Sequence, residues 1–311
     1  MNDCPSIIVG IPTYKRPRML AELLDSLAQQ TIFNTDIVVE IVIVDNDKDQ
    51  GALTVFDKYS DKMHCRMQYL HELKRGIPFA RNKVLGHAID RQAEFIAFID
   101  DDETADPDWL QTLHQIITSE TVDAVQGPVI TLLPENAPRW AIQEAKKKSN
   151  REEGEQKTAL ATNNVIISSS LIVEKGLRFD ERFALSGGED VDFFQRSARL
   201  GNCHIWTNRA LVYEKIPGTR LTLKWEFQRS FRVGATNTYS SVQQKGIGYG
   251  IKRYMLKIIA RILLGPLLLI TAGIFSAKMR LLAIRWIGSG LGHFLGFFGV
   301  LGSEYSNIHG D

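Results

Sequence analysis

Two acidic clusters in this 311-residue chain hold the side chains best suited to chemistry. The first is Asp100-Asp101-Asp102-Glu103, which closes the apolar run Ala97-Phe98-Ile99. Four neighbouring carboxylates repel one another, so they raise each other's pKa values unless a cation joins them. Side chains alternate along a strand, which puts Asp100 and Asp102 on one face and Asp101 on the other. Two carboxylates projecting together at a strand's carboxyl end make a hard oxygen site suited to Mg²⁺ or Mn²⁺. The following Asp106-Pro107-Asp108 reads as a helix start with Asp106 as N-cap, which accounts for the remaining acids. The second cluster is Gly187-Gly188-Glu189-Asp190, ahead of a segment whose Val191, Phe194 and Ala198 are spaced for a helix. Asp190 then sits at a helix N-terminus, where an acid is stabilised by about 0.3–1 kcal/mol. A helix start does not need the two glycines, which leave room for a substrate to approach.

The elements that must position these clusters are legible as apolar runs. Residues 6–11 (SIIVGI), 38–44 (VVEIVIV) and 94–99 (EFIAFI) read as buried strands, and 67–70 as a weaker one. Helices are predicted from Pro17, with Leu20, Leu23, Leu24 and Leu27 on one face, and from Pro78 to Ile89. Such strands separated by helices predict an α/β fold, a mostly parallel sheet with helices on both faces. Such sheets bind ligands at the carboxyl ends of their strands. Here the first, second and fourth strands run into Pro12-Thr13-Tyr14-Lys15-Arg16, Asp45-Asn46-Asp47 and Asp100-Asp101-Asp102.

A net charge of +1 points to neither nucleic acid nor a strongly acidic partner. Cys4, Cys65 and Cys203 are scattered with no C-x-x-C spacing, which implies a reducing compartment and no zinc site. The opening MNDCPSIIVG has no basic stretch before its apolar run, so no secretory signal is expected. Residues 134–160 are charged and punctuated by proline, and predict a long surface loop with Lys146-Lys147-Lys148 solvated.

Three further segments join the two clusters in a recognisable order. VGIPTYKRP, IVIVDND, GIPFARN, FIDDDE and ALSGGEDVDFFQRSARLG together resemble family 2 glycosyltransferases of the GT-A fold, closest to bacterial exopolysaccharide transferases of the succinoglycan type. The resemblance runs from residue 7 to about 235 and implies an inverting, metal-dependent transferase. Its donor would be a UDP-sugar, UDP-glucose being the implied one, and its acceptor a lipid-linked or other saccharide in polysaccharide assembly. It implies that Pro12, Thr13 and Tyr14 border the uracil ring and that Arg16 approaches the diphosphate. Asp45 would bond the uracil imide, although a helix N-cap explains it equally well. Arg81 and Asn82 would sit near the nucleotide. Asp100 would contact the ribose or the metal, with Asp101 supporting that side, and Asp102 would hold Mn²⁺ or Mg²⁺. Asp190 would be the general base that deprotonates the acceptor hydroxyl in a single displacement.

The departures are informative. Many family members carry a metal-binding His on a later strand; here Glu214 occupies that place, with His204 as an alternative. Gln228-Arg229-Ser230-Phe231-Arg232 does not match the Gln-x-x-Arg-Trp motif of processive synthases, so transfer of one sugar per encounter is expected. A sugar-phosphate nucleotidyltransferase would need a richer glycine loop than Gly10-Ile11-Pro12-Thr13. A non-catalytic saccharide-binding protein would not need Asp102 and Asp190.

Beyond about residue 250 the character changes. Residues 258–275 and 281–302 are apolar, Gly-rich and each near the length that spans a bilayer, yet each carries charge. The expectation is a catalytic domain over residues 1–250 and a hydrophobic helical region over 251–311. That region would be embedded in or lie on the membrane, anchored from the cytoplasmic face of the bacterial inner membrane.

Overall fold

Alternating side chains of the central strands feed two separate cores, which requires helices on both faces of the sheet. The computed structural model describes residues 4–146, 151–272 and 274–302. Strands β1 (Ile7–Thr13), β2 (Val39–Asp45), β3 (Arg66–His71) and β4 (Phe95–Ile99) are parallel neighbours. β5 (Glu103–Ala105), β6 (Ala124–Gln126), β7 (Val129–Leu132), β8 (Asn164–Ser168), β9 (His204–Trp206) and β10 (Val212–Lys215) follow. The main sheet has seven strands in the order β3-β2-β1-β4-β8-β6-β9, with β8 antiparallel to both its neighbours. A second sheet, β5-β10-β7, stands beside the acid turn.

Helices α1 (Pro17–Leu27), α2 (Leu53–Ser60), α3 (Ile77–Asp90) and α4 (Trp109–Ser119) lie among these strands. Ile7, Val9, Ile11, Ile41 and Ile43 pack with Leu20, Leu23 and Leu24 of α1 and with Leu113 of α4. Ile8, Val42, Val44 and Phe98 point the other way, against Val84 and Leu85 of α3 and a later pair, Phe193 and Phe194. The predicted α/β fold is the observed one, and its early strands fall within about two residues of expectation. Asp106 departs from its expected role. Helix α4 begins at Trp109 with Asp108 as N-cap, and the Asp106 carboxylate accepts from the Asp108 N–H at 3.2 Å.

The segment read as a surface loop contains helix α5 (Arg139–Ala145), followed later by α6 (Ser170–Val173) and α7 (Glu189–Arg199). Trp140-Ala141-Ile142 gives that stretch an apolar side, and Ala141 is buried. Lys146 is exposed as expected, while Lys147 and Lys148 lie outside the described residues.

The C-terminal region is a three-helix layer: α8 (Leu223–Lys245), α9 (Ile247–Ile270) and α10 (Ala277–Gly296). The boundary expected at residue 250 therefore falls inside α9. Among the described residues no helix is long and apolar enough to cross a membrane, which removes the spanning form of the expected membrane region. The physical reason is twofold. Lys252, Arg253, Lys257 and Arg261 interrupt α9. The glycines of α10 serve close helix packing instead of lipid. A Cβ on Gly288, Gly292 or Gly296 would lie 2.6, 2.0 or 2.4 Å from the backbone oxygens of Phe227, Phe231 and Ala235. That stripe of glycines four apart lets α10 run directly against α8.

Candidate active site

The acid run does not continue a strand. β4 ends at Ile99, the chain turns through Asp100-Asp101-Asp102, and Glu103 opens β5 in the second sheet. The strand alternation expected for these side chains is replaced by turn geometry, in which Asp101 and Asp102 share Arg16. Asp101 accepts from Thr13 Oγ1 and from Arg16 Nη1, both at 2.8 Å. Asp102 accepts from the same Arg16 nitrogen at 3.0 Å and from Arg220 Nη2 at 3.3 Å. Asp100 pairs with Arg81 Nη2 at 3.2 Å. Glu103 turns inward and accepts from the Asp100 N–H and from Asn163 Nδ2, both at 3.0 Å. Burial, reinforced by Asp100 and Asp102, holds the Glu103 carboxyl well above the usual range. Burial also lifts Asp101 to about 6, with Asp102 adding to the rise and Arg16 opposing it.

Facing this turn is the start of α7. Gly187 and Gly188 have φ of 72° and 95°, the left-handed region that favours glycine. A Cβ on Gly188 would also stand 2.1 Å from Thr236 Cγ2 of α8. The pair thus bends the chain into α7 and admits α8, while Gly188 also lines the cavity described below. Asp190 follows with one carboxylate oxygen accepting from the Val191 N–H at 2.7 Å. Glu189 is buried and bonded to Arg81 Nη1, so Arg81 ties the start of α7 to Asp100. Burial, with Asp190 adding to it, raises Glu189 to about 7 despite the Arg81 charge.

These groups line one cavity of about 680 Å³, within the range for a small-molecule site. Its wall takes in Pro12, Thr13, Tyr14, Arg16, Arg81, Asp100, Asp101, Asp102, Asp190 and Glu214. Residues 8–174 match the family model described as glycosyl transferase family 2. The chain is 32% identical over 239 residues to the succinoglycan biosynthesis protein ExoM of Rhizobium meliloti (strain 1021), covering 76% of this chain and 75% of that one. The chain belongs to glycosyltransferase family 2. Among solved structures it resembles the mannosyltransferase PcManGT from Pyrobaculum calidifontis in complex with GDP-Man and Mn²⁺, with a TM-score of 0.64, 16% identity, and coverage of 95% of this chain and 86% of that one. It also resembles S. aureus TarS 1–349 in complex with UDP-GlcNAc, with a TM-score of 0.53, 16% identity, and coverage of 94% and 92%. The fold is GT-A.

In this family 2 glycosyltransferase two expected nucleotide residues turn elsewhere. Asp45 is fully buried off the cavity. Its carboxylate accepts from the N–H groups of Asp47 and Ala52 and from the Tyr69 hydroxyl, each at 2.9 Å, so it organises the turn into α2. Asn82 spends its amide on Phe179, donating to its carbonyl at 2.9 Å and accepting from its N–H at 2.8 Å. His204 is structural: it bonds Ser197 Oγ at 2.8 Å and lies edge-on to Phe194.

Other groups on the wall pair aromatic rings with arginines. Tyr14 lies beneath the Arg75 guanidinium, 5.0 Å from its ring centre. Trp140 of α5 and Trp225 of α8 line the side of the cavity that also holds Arg229 and Arg232, with Arg229 5.4 Å from the Trp225 ring centre. Trp225 Nε1 is buried there without a partner among the described residues. Only the i, i+4 spacing of Trp225 and Arg229 on a helix marks that pair in the sequence.

Asp102 and Glu214 are the two carboxylates available to a divalent ion. Both are hard oxygen donors, and one guanidinium, Arg220, already bridges them, so the position between them suits a cation. Burial, with Asp102 as the next cause, raises Glu214 to about 7. Among the described residues no group of three or more His, Cys, Asp or Glu side chains that could hold a metal ion is found.

Proposed function

We propose that this enzyme is an inverting, metal-dependent transferase that moves one hexose from a UDP-sugar, UDP-glucose in the reading the resemblance implies, to a lipid-linked saccharide during bacterial polysaccharide assembly. The observation that carries the reading is the pairing, in one cavity, of the acid turn Asp100–Asp102 with Asp190 at the opposite α7 start. The matched relative's name concerns succinoglycan biosynthesis, which supports a polysaccharide role.

Each residue has a stated task. Tyr14, backed by Arg75, offers a flat face to a nucleobase. Arg16 and Arg220 stand beside Asp102, where a diphosphate would come to rest, and guanidinium forks suit phosphate oxygens. Asp102 and Glu214 would hold Mn²⁺ or Mg²⁺, which when bound offsets the charge on the departing diphosphate. Asp190, with one oxygen fixed by the Val191 N–H, keeps its other oxygen to take the proton from the acceptor hydroxyl. The Trp140–Trp225 side of the cavity offers aromatic surface to the acceptor saccharide.

The acceptor's lipid fits the outer face of α9. Leu256, Ile259, Leu263, Leu267 and Ile270 are all exposed and recur at three- and four-residue steps. Lys252, Arg253 and Lys257 are exposed on the same helix. An apolar stripe with flanking cations is suited to lying on an anionic bilayer surface, here the cytoplasmic face, without crossing it. The decisive experiment is transfer from UDP-glucose to a lipid-linked acceptor with Asp190→Asn. The variant is expected to lose about 10²–10⁴-fold in kcat while keeping UDP affinity; full transfer activity would remove the base assignment.

A further inference from the structure

The two carboxylates that a divalent ion would share are already joined by one side chain. Arg220 Nη1 donates to Glu214 Oε1 at 2.8 Å, and Nη2 donates to Asp102 Oδ2 at 3.3 Å. The Arg220 side chain is 15% exposed and that of Asp102 12%, so these are sheltered bonds and not loose surface pairs. Its Nε is buried with no partner among the described residues. Arg220 ends a single helical turn, Gly218–Arg220, that follows Pro217 and buries none of its own residues. That turn can shift without opening either core.

We propose that Arg220 is a resident counter-ion, holding the gap between Asp102 and Glu214 until cation and nucleotide arrive together and then passing to the nucleotide's diphosphate. The proposal rests on the metal and donor assignments above and adds to them a competitor built into the chain. A guanidinium and a divalent ion compete for Glu214 Oε1 and for Asp102 Oδ2, which also accepts from Arg16 Nη1 at 3.0 Å. A cation arriving alone breaks two charge-assisted bonds and leaves a sheltered guanidinium without an anion, which is costly. A diphosphate removes that cost, because the same planar fork that fits a carboxylate fits a phosphate. Arg220 therefore weakens binding of the cation alone and strengthens binding of the nucleotide. Both effects enlarge the coupling between the two ligands, and linkage makes that coupling equal in either direction.

The test measures Mn²⁺ binding to the full chain by electron paramagnetic resonance of the free ion, with and without saturating UDP. Wild type is expected to bind Mn²⁺ weakly alone and at least about tenfold more tightly with UDP, a coupling of roughly 1.4 kcal/mol. Arg220→Gln is expected to bind Mn²⁺ alone several-fold more tightly than wild type, to bind UDP more weakly, and to show a smaller coupling. Arg220→Lys keeps the charge without the fork and is expected to fall between the two; it decides the matter if Arg220→Gln melts early. The proposal is overturned if well-folded variants bind Mn²⁺ alone no more tightly than wild type, or if the coupling is unchanged. Should wild type bind UDP but take up no Mn²⁺ with it, the metal assignment itself falls, a result distinct from a failure confined to Arg220.

Discussion

Two arginine–carboxylate groups flank the same cavity, and they differ in what their ion pairs are for. The outer group, Arg16 and Arg220 with Asp101, Asp102 and Glu214, has its members on the cavity wall, and its arginines contact acids that a substrate complex would engage. The inner group, Arg81 with Glu189 and Asp100, centres on a guanidinium and a carboxylate 5% and 3% exposed. Under the proposed function the outer pairs are exchangeable, since each arginine would have an alternative anion in a bound diphosphate. The inner pair has none, and its work is to fix the start of α7, and so Asp190, against the acid turn. The same pairing chemistry thus supports binding in one place and geometry in the other.

That distinction can be broken by experiment. The largest expected effect is on the inner group: Arg81→Met strands Glu189 and should cost about 3–5 kcal/mol of stability, the usual result of removing one partner of a buried pair. Denaturant unfolding measures it, and the loss should shrink as pH falls below about 7, where Glu189 takes a proton. On the outer group, Asp102→Ala should lower transfer by about 10²–10³-fold, as when one group facing developing charge is removed. Its melting temperature should stay near that of wild type; a large drop would show the outer group to be structural as well.

A smaller effect concerns pH. Burial raises Glu189 to about 7 in the folded chain, against about 4.3 when unfolded. The folded state therefore keeps a proton that the unfolded chain has released, and this group's contribution to stability falls as pH rises from about 4.5 to 7. Asp101 and Glu214 are shifted in the same direction. Glu189→Gln should flatten part of that slope when melting temperatures are compared at pH 5.5 and 7.5; an unchanged slope would place the titration elsewhere. The smallest effect tests the outer surface of α9. Replacing Leu263 and Leu267 with Lys should weaken co-sedimentation with anionic vesicles by about tenfold and leave UDP-sugar hydrolysis unchanged. The lost burial is set against a gain of charge that itself favours the surface.

The early strands were readable because each is a continuous β-branched run, and a strand buried on both faces leaves that signature whatever surrounds it. The acid turn and the Gly-Gly-Glu-Asp segment were readable because like charges crowded in sequence, or placed at a helix start, need a local explanation. Asp45 and Asn82 illustrate the limit. Their positions at a strand end and a helix start are as expected, yet their side chains serve Ala52, Tyr69 and Phe179, partners whose approach only the folded chain specifies. The Gly-rich apolar helices were read as lipid-facing because small residues at four-residue spacing suit any close helix contact, in a bilayer or against α8.

The sequence by itself determined the α/β class, the acid run at the end of β4 and the acid at the start of α7, because each depends on residues close together along the chain. Only the tertiary structure decided which cation each acid meets. Arg16 lies 86 positions from Asp102, Arg220 lies 118 from it, and Arg81 lies 108 from Glu189. At such separations periodicity carries no information, and the pairing follows from how the strands are ordered and where α7 and α8 dock against them.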